Sequence, residues 1–230
     1  MISFCVPTWN RFDYTVECVN SIIDHSLVTE IVVSDDASID GSYEKLINYY
    51  AGNDKVKLFR NESNKDCYVN KKVSVELATN PWTIIGDSDN KFDFEFIDKL
   101  ISLQPWDEDV VYAPDKAMPM FDYREFSGLI LDKSNIASYI SLGMCSTMLN
   151  TMNYFVNRKN FLSCWDGSID PIGSDSIFQN YNWLKGGRRF YCVPDLSYEH
   201  RVHSESHFQH HIHESMPLIN DVIEKLRQLK

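Results

Sequence analysis

The sequence predicts an α/β fold with a mostly parallel central sheet flanked by helices, and three observations carry that expectation. Strand-like and helix-like patterns alternate through the first half of the 230 residues with short links between them. Three of the predicted strands end in polar or acidic clusters: Pro7-Thr8-Trp9-Asn10, Asp35-Asp36-Ala37-Ser38 and Asp87-Ser88-Asp89. In parallel sheets ligands bind beyond the carboxyl ends of the strands, so these clusters mark one functional edge. A hydrophobic fraction of 43% with 13% aromatics is enough to bury a core and excludes a disordered chain.

Each element has its own signal. Residues 2–6 form a short apolar run ended by Pro7. Residues 12–25 place Val16, Val19, Ile22 and Ile23 at helical spacing. Residues 30–34 are a β-branched run. Tyr43, Leu46, Ile47 and Tyr50 mark a second helix, residues 56–59 a third strand, and residues 70–78 a helix with Val73 and Leu77 on one face. Residues 82–86 form a fourth strand that runs into acids. Phe94, Ile97, Leu100 and Ile101 fit another helix, followed by a strand at 110–112. From about Ala113 the pattern is less regular and rich in Met, Ser, Asn and aromatics. It offers a strand at 153–157, a helix at 175–184, a strand at 189–193 and an amphipathic tail helix at 215–230. With no repeat or linker, one domain over 1–230 is expected, divided into a ligand-binding half (1–112) and an irregular half with the C-terminal helix (113–230).

The charge balance narrows the function. With 22 basic and 33 acidic residues the net charge is −11. That argues against a nucleic-acid partner, because gripping a phosphate backbone takes clustered Lys and Arg. It leaves room for a single nucleotide and suits divalent cations. No apolar run approaches the ~20 residues of a membrane-spanning helix; residues 127–149 are interrupted by Asp132, Lys133, Ser134 and Asn135. The chain opens on a strand without a basic leader, so a cytoplasmic location is expected. Six cysteines form no C-x-x-C pair, which leaves a zinc ribbon or redox motif unsupported and favours buried thiols.

Five constellations could carry chemistry. Alternating carboxylates Asp87 and Asp89 at a strand end can reach one hard cation that keeps positions open for phosphate oxygens; capping aspartates in a turn are the competing reading. Asp36 at a strand end can accept the imino N–H of a base, whereas Asp40-Gly41 reads as turn chemistry. The stretch from Asn61 to Lys71 mixes amides and lysines before a helix, where ribose and phosphates can be held, or is a solvated loop. Six of the seven histidines fall between His200 and His213. His207 and His211 have HExxH spacing, but Phe208 stands where the glutamate belongs, so a zinc-protease reading fails. Asp175, in Gly173-Ser174-Asp175-Ser176, reads as a helix cap or as a base for an acceptor hydroxyl.

In order and spacing these segments resemble the family-2 glycosyltransferases with the GT-A fold. The matching stretches are Ser3 through Arg11, Glu30 through Gly41, Asn64 through Asn70, Thr83 through Asp89, and His200-Arg201-Val202-His203. The resemblance implies that Pro7, Thr8, Asn10 and Arg11 lie under a nucleotide. It implies that Asp36 receives the base with Asp35 in support, and that Asn64 and Asn70 line the pocket. Asp87, Ser88 and Asp89 match the D-x-D motif, with Asp87 and Asp89 both ligands of Mn²⁺ or Mg²⁺ and Asp89 the more direct of the two. His203 would complete the metal site in competition with His200, Arg201 would face the diphosphate, and Asp175 would be the catalytic base. The sequence departs from the family at Ala37, Asp66 and Ser174, where a glycine, a glycine and a glutamate are expected.

The implied activity is metal-dependent transfer of a sugar from a nucleoside-diphosphate sugar, with UDP the expected nucleotide, to a glycan or other acceptor hydroxyl with inversion. Further domains of a longer parent protein are compatible with this. Two rivals stand beside it: a non-catalytic nucleotide-sugar-binding module, and a sugar-phosphate nucleotidyltransferase. The absence of glycine in Trp9-Asn10-Arg11-Phe12 argues against the latter.

Overall fold

The structure is a computed structural model describing residues 1–167, 176–203 and 207–230. The first half runs β1 (Ile2–Thr8), α1 (Phe12–Asn20), β2 (Val28–Asp35), α2 (Ser42–Tyr49), β3 (Val56–Arg60), α3 (Asp66–Leu77), β4 (Trp82–Ile85), α4 (Phe94–Ser102) and β5 (Val110–Met118). The second contains β6 (Phe121–Asp122), β7 (Ile130–Leu131), α5 (Ile136–Tyr139), α6 (Cys145–Leu149), β8 (Tyr154–Asn157) and α7 (Arg158–Ser163). It closes with α8 (Ser176–Lys185), β9 (Arg189–Glu199), α9 (His207–His210) and α10 (Ile212–Arg227).

The nine strands among the described residues join one sheet in the order β3-β2-β1-β4-β8-β5-β9-β7, with β6 on β5. The β1–β2, β2–β3, β1–β4 and β5–β9 pairs are parallel. β8 runs antiparallel to both β4 and β5, so β5 and β9 point the same way as β1 to β4. The expectation of a mostly parallel sheet holds, and one sheet spans both halves of the chain.

Burial explains the strand sequences. Every residue of β1 is buried, as expected for a central strand covered on both faces. β3, at the sheet margin, is mostly exposed and carries Lys57 and Arg60, charges that discourage edge-to-edge pairing. Gly86 follows β4 where the backbone passes two aromatic rings. A Cβ there would come within 2.6 Å of Phe4 and 2.7 Å of Phe92. α4 is capped by Asp93, whose carboxylate accepts the Phe96 N–H at 2.8 Å. It buries Phe96, Ile97 and Leu100 at helical spacing.

The expected elements are present with altered extents, whereas β6, β7, α5, α6, α7 and α9 had no counterpart in the sequence pattern, and α1 stops at Asn20 rather than at the expected 25. α3 begins four residues before the expected 70, and β9 continues from the expected 193 to Glu199 across a bulge near Asp195, whose φ is 59°. β5 reaches Met118 because β9 pairs with it to that point. α10 starts one turn before the expected 215. The six cysteines are thiols, four of them buried, and no described helix is long and apolar enough to cross a membrane.

Candidate nucleotide-sugar site

The carboxyl ends of β1, β2 and β4 open on a cavity of about 850 Å³. Of the residues singled out from the sequence, Pro7, Thr8, Arg11, Asp36, Asn64, Asn70, Asp87, Ser88, Asp89, Arg201 and His203 line it. Asn10 and Asp35 do not line it. Asn10, at φ 51°, donates its N–H to Ser38 Oγ and accepts the Ile39 N–H, both at 2.8 Å. It therefore joins the loop after β1 to the loop after β2. Asp35 is fully buried and accepts the Ser38 N–H at 2.9 Å, which shapes the turn that presents Asp36. Asp175 lies outside the described residues, as does Ser174.

At one end of the cavity Asp36 Oδ1 accepts from Asn61 Nδ2 at 2.7 Å and from the Lys65 N–H at 2.8 Å. Burial raises the Asp36 carboxyl above its ordinary value, against the pull of these donors. Asn70 accepts from Ser34 Oγ at 2.7 Å and donates to the Ser34 carbonyl at 2.8 Å. Besides lining the cavity, it fixes α3 to β2.

At the other end the two aspartates of D-x-D part company. Asp87 meets Lys71 Nζ at 2.9 Å, accepts from Asn153 Nδ2 at 2.8 Å, and donates its N–H to Asn153 Oδ1 at 2.8 Å. Burial opposes its ionisation, but Lys71 and Asn153 hold the carboxyl below the usual carboxylate range. Asp89 Oδ2 lies 2.6 Å from Arg11 and 2.9 Å from His203 Nε2. His200 also lines the cavity, with its ring 4.9 Å from Phe121 and no hydrogen-bond partner at Nδ1. Burial lowers its pKa, opposed by the carboxylates of Asp87 and Asp89.

This donor set bears on a cation. Among the described residues no three His, Cys, Asp or Glu side chains gather at one point. A carboxylate and an imidazole do converge, Asp89 with His203, and both are donor types for borderline divalent ions. Arg11 already places positive charge against that same carboxylate oxygen. Asp89 and His203 are therefore the donor pair that would hold a borderline ion such as Mn²⁺, in competition with Arg11 for Asp89 Oδ2.

Lys71 and Asn153 are the residues that sequence reasoning did not assign. Lys71 stood inside the Asn61 to Lys71 stretch and could have been found there. Asn153 sits just before β8, and nothing in its local sequence points to Asp87.

The sequence matches the model of "Glycosyl transferase family 2" over residues 3–157. The chain belongs to that family. It is 38% identical over 95 residues to the abequosyltransferase RfbV of Salmonella typhimurium, covering 39% of this chain and 28% of that protein. It is 27% identical over 100 residues to the putative teichuronic acid biosynthesis glycosyltransferase TuaG of Bacillus subtilis, covering 43% and 40%. The chain thus spans less than half the length of these relatives. The S. aureus TarS fragment 1-349 in complex with UDP-GlcNAc superposes with a TM-score of 0.71 at 16% identity, covering 96% of this chain and 66% of that one. The mannosyltransferase PcManGT from Pyrobaculum calidifontis, in complex with GDP-Man and Mn2+, gives 0.67 at 12% identity, covering 98% and 68%. The fold is therefore the GT-A type expected from the sequence.

Proposed function

We propose that this family-2 chain transfers a sugar from a nucleoside-diphosphate sugar, with UDP the preferred nucleotide, to an acceptor hydroxyl with inversion at the anomeric carbon. The observation that carries this reading is the convergence of Asp36, the Lys71–Asp87 pair and the Asp89–His203 pair on one cavity at the carboxyl edge of the sheet.

Asp36, fixed by Asn61 and Lys65, accepts the imino N–H of the base. Thr8, Asn64 and Asn70 line the nucleotide end. Lys71 and Arg11 bring positive charge to the walls near the D-x-D loop, where the diphosphate would lie. Asp89 and His203 would hold a divalent ion. Such an ion, when bound, supplies neutralising charge for the departing nucleoside diphosphate. Asp175, just ahead of α8, is the proposed base that takes the acceptor hydroxyl's proton.

A thermal-shift screen of nucleoside diphosphates with and without Mn²⁺ tests the reading. A ligand at a hundred times its Kd adds about 2.7 kcal/mol, hence roughly 5 °C or more for a chain of this size. A Mn²⁺-dependent shift with UDP is expected, and no shift with any nucleotide overturns the proposal. Release of free UDP from a donor panel separates catalysis from mere donor binding. Asp175→Asn should lose transfer while keeping donor binding by calorimetry, and unaltered transfer removes Asp175 as the base.

A further inference from the structure

The segment that carries His203 is held by α1 as well as by the sheet. Up to His200 it has backbone partners: Lys91 and Glu199 exchange hydrogen bonds at 3.0 and 2.9 Å, and the His200 N–H donates to the Met118 carbonyl at 2.7 Å. The Arg201 N–H reaches Asn90 Oδ1 at 3.2 Å. Beyond that point the segment also has side-chain contacts to α1. Arg201 donates to Glu17 Oε2 at 2.5 Å, and its guanidinium lies 4.3 Å from the centre of the Tyr14 ring. The same Glu17 oxygen meets Lys91 Nζ at 3.0 Å. The Tyr14 ring also lies 5.2 Å from that of His203, whose Nε2 faces Asp89 at 2.9 Å. Glu17 and Tyr14 lie one helical turn apart on α1 and so present to one side of it. Glu17 is absent from the cavity lining, whereas Arg201 and His203 belong to it.

The geometry points to Glu17, with Tyr14, as a positioning residue: its clasp on Arg201 holds residues 201–203 so that His203 meets Asp89. This rests on the donor-site reading of the Asp89–His203 pair. Arg201 lines the cavity, and its guanidinium is at the same time held by α1. Glu17 acts through Arg201 and never touches the ligand. An ordinary surface ion pair contributes little to folding, so the clasp shows itself in the order of this segment and in cation-linked binding rather than in global stability.

The test compares wild type, Glu17→Gln, Arg201→Ala and the double variant. Calorimetry measures UDP affinity with and without Mn²⁺, and hydrogen exchange follows the amides of residues 201–203 without ligand. In Glu17→Gln the Mn²⁺-dependent gain in UDP affinity should fall, by less than the roughly tenfold or more seen for direct hydrogen-bond partners of metal ligands. Metal-free affinity and Tm should stay unchanged, and the 201–203 amides should exchange faster. In the Arg201→Ala background, adding Glu17→Gln should change nothing further. A Glu17→Gln variant with the full Mn²⁺-dependent gain, or effects that simply add, overturns the proposal. If wild type shows no Mn²⁺-dependent gain, the donor-site reading fails on its own. Hydrogen exchange then decides the clasp: unchanged 201–203 exchange in Glu17→Gln overturns it, and faster exchange upholds it.

Discussion

Replacing Lys71 with methionine isolates what Lys71 does for the first D-x-D aspartate. The pair is close, 2.9 Å, with side chains 11% and 29% exposed. At that distance and an effective dielectric of about 20 the gross attraction is about 6 kcal/mol, most of which desolvation of the two groups offsets. A hydrogen bond to a charged group contributes about 1.5–3 kcal/mol net. Breaking a fully buried pair costs about 3–5 kcal/mol, but Asp87 keeps some water access and Asn153 remains bonded to it. Lys71→Met should therefore cost about 2 kcal/mol in urea denaturation, a Tm loss of roughly 4–8 °C. Asp87→Asn leaves the ammonium without its carboxylate and should cost a similar amount. The double variant Lys71→Met/Asp87→Asn should recover part of the loss, giving a coupling energy of about 2 kcal/mol in the cycle. Additive effects within about 0.5 kcal/mol would show that the pair does not act as a unit and refute the reasoning.

The remaining predictions use different readouts. Gly86→Ala forces a Cβ against Phe4 and Phe92, and should cost about 1–3 kcal/mol in urea denaturation through overpacking. Cys67 is partly exposed and lines the cavity, so iodoacetamide should modify it first, and UDP with Mn²⁺ should slow the reaction in a peptide-mass time course. Burial pushes the Cys145 and Cys192 thiols up to about 12, and these should stay unmodified in the native protein. Burial depresses the His200 pKa in the folded state, so its contribution to stability is whole above the unfolded value of about 6.5 and is lost as pH falls through the lower folded value. His200→Phe should flatten the Tm profile across that window; an identical profile contradicts the reading. Asp89→Ala should abolish the Mn²⁺-dependent UDP thermal shift without unfolding the chain.

The first half of the fold was legible because β1, β2 and β4 are buried on both faces and announce themselves as apolar runs that end in polar clusters. The acids at those ends were legible as one edge for the same reason. What was hidden depends on contacts between distant residues. β5 and β9 extend beyond their apolar runs because each supplies the other's hydrogen bonds, a pairing that no local pattern encodes. The early start of α10 was missed because the expected helix rested on Ile219, Val222, Ile223 and Leu226, all of which lie beyond its first turn. Asn153 reaches Asp87 across 66 positions, and an asparagine before a short strand carries no signal of such a partner. The separation of Asp87 from Asp89 was equally invisible, since the triplet reads the same whether its two carboxylates share one ion or divide between a lysine and a histidine.

The place of β8 bears on how this chain is synthesised. β4 offers one margin to β1, and its other margin has no partner until β8 arrives, some seventy residues later in the chain. A nascent chain that has emerged only through β5 therefore holds four parallel strands with an exposed, apolar β4 margin, the kind of edge that recruits a second chain. Trp82, which stacks on Phe155 with ring centres 5.0 Å apart, also waits for that strand. Residue 157 ends both β8 and the stretch shared with the family. On the ribosome, the first half of the sheet is sealed only once that residue is clear of the exit tunnel, so a truncation or translational pause before it leaves an intermediate that aggregates more readily than one placed after it.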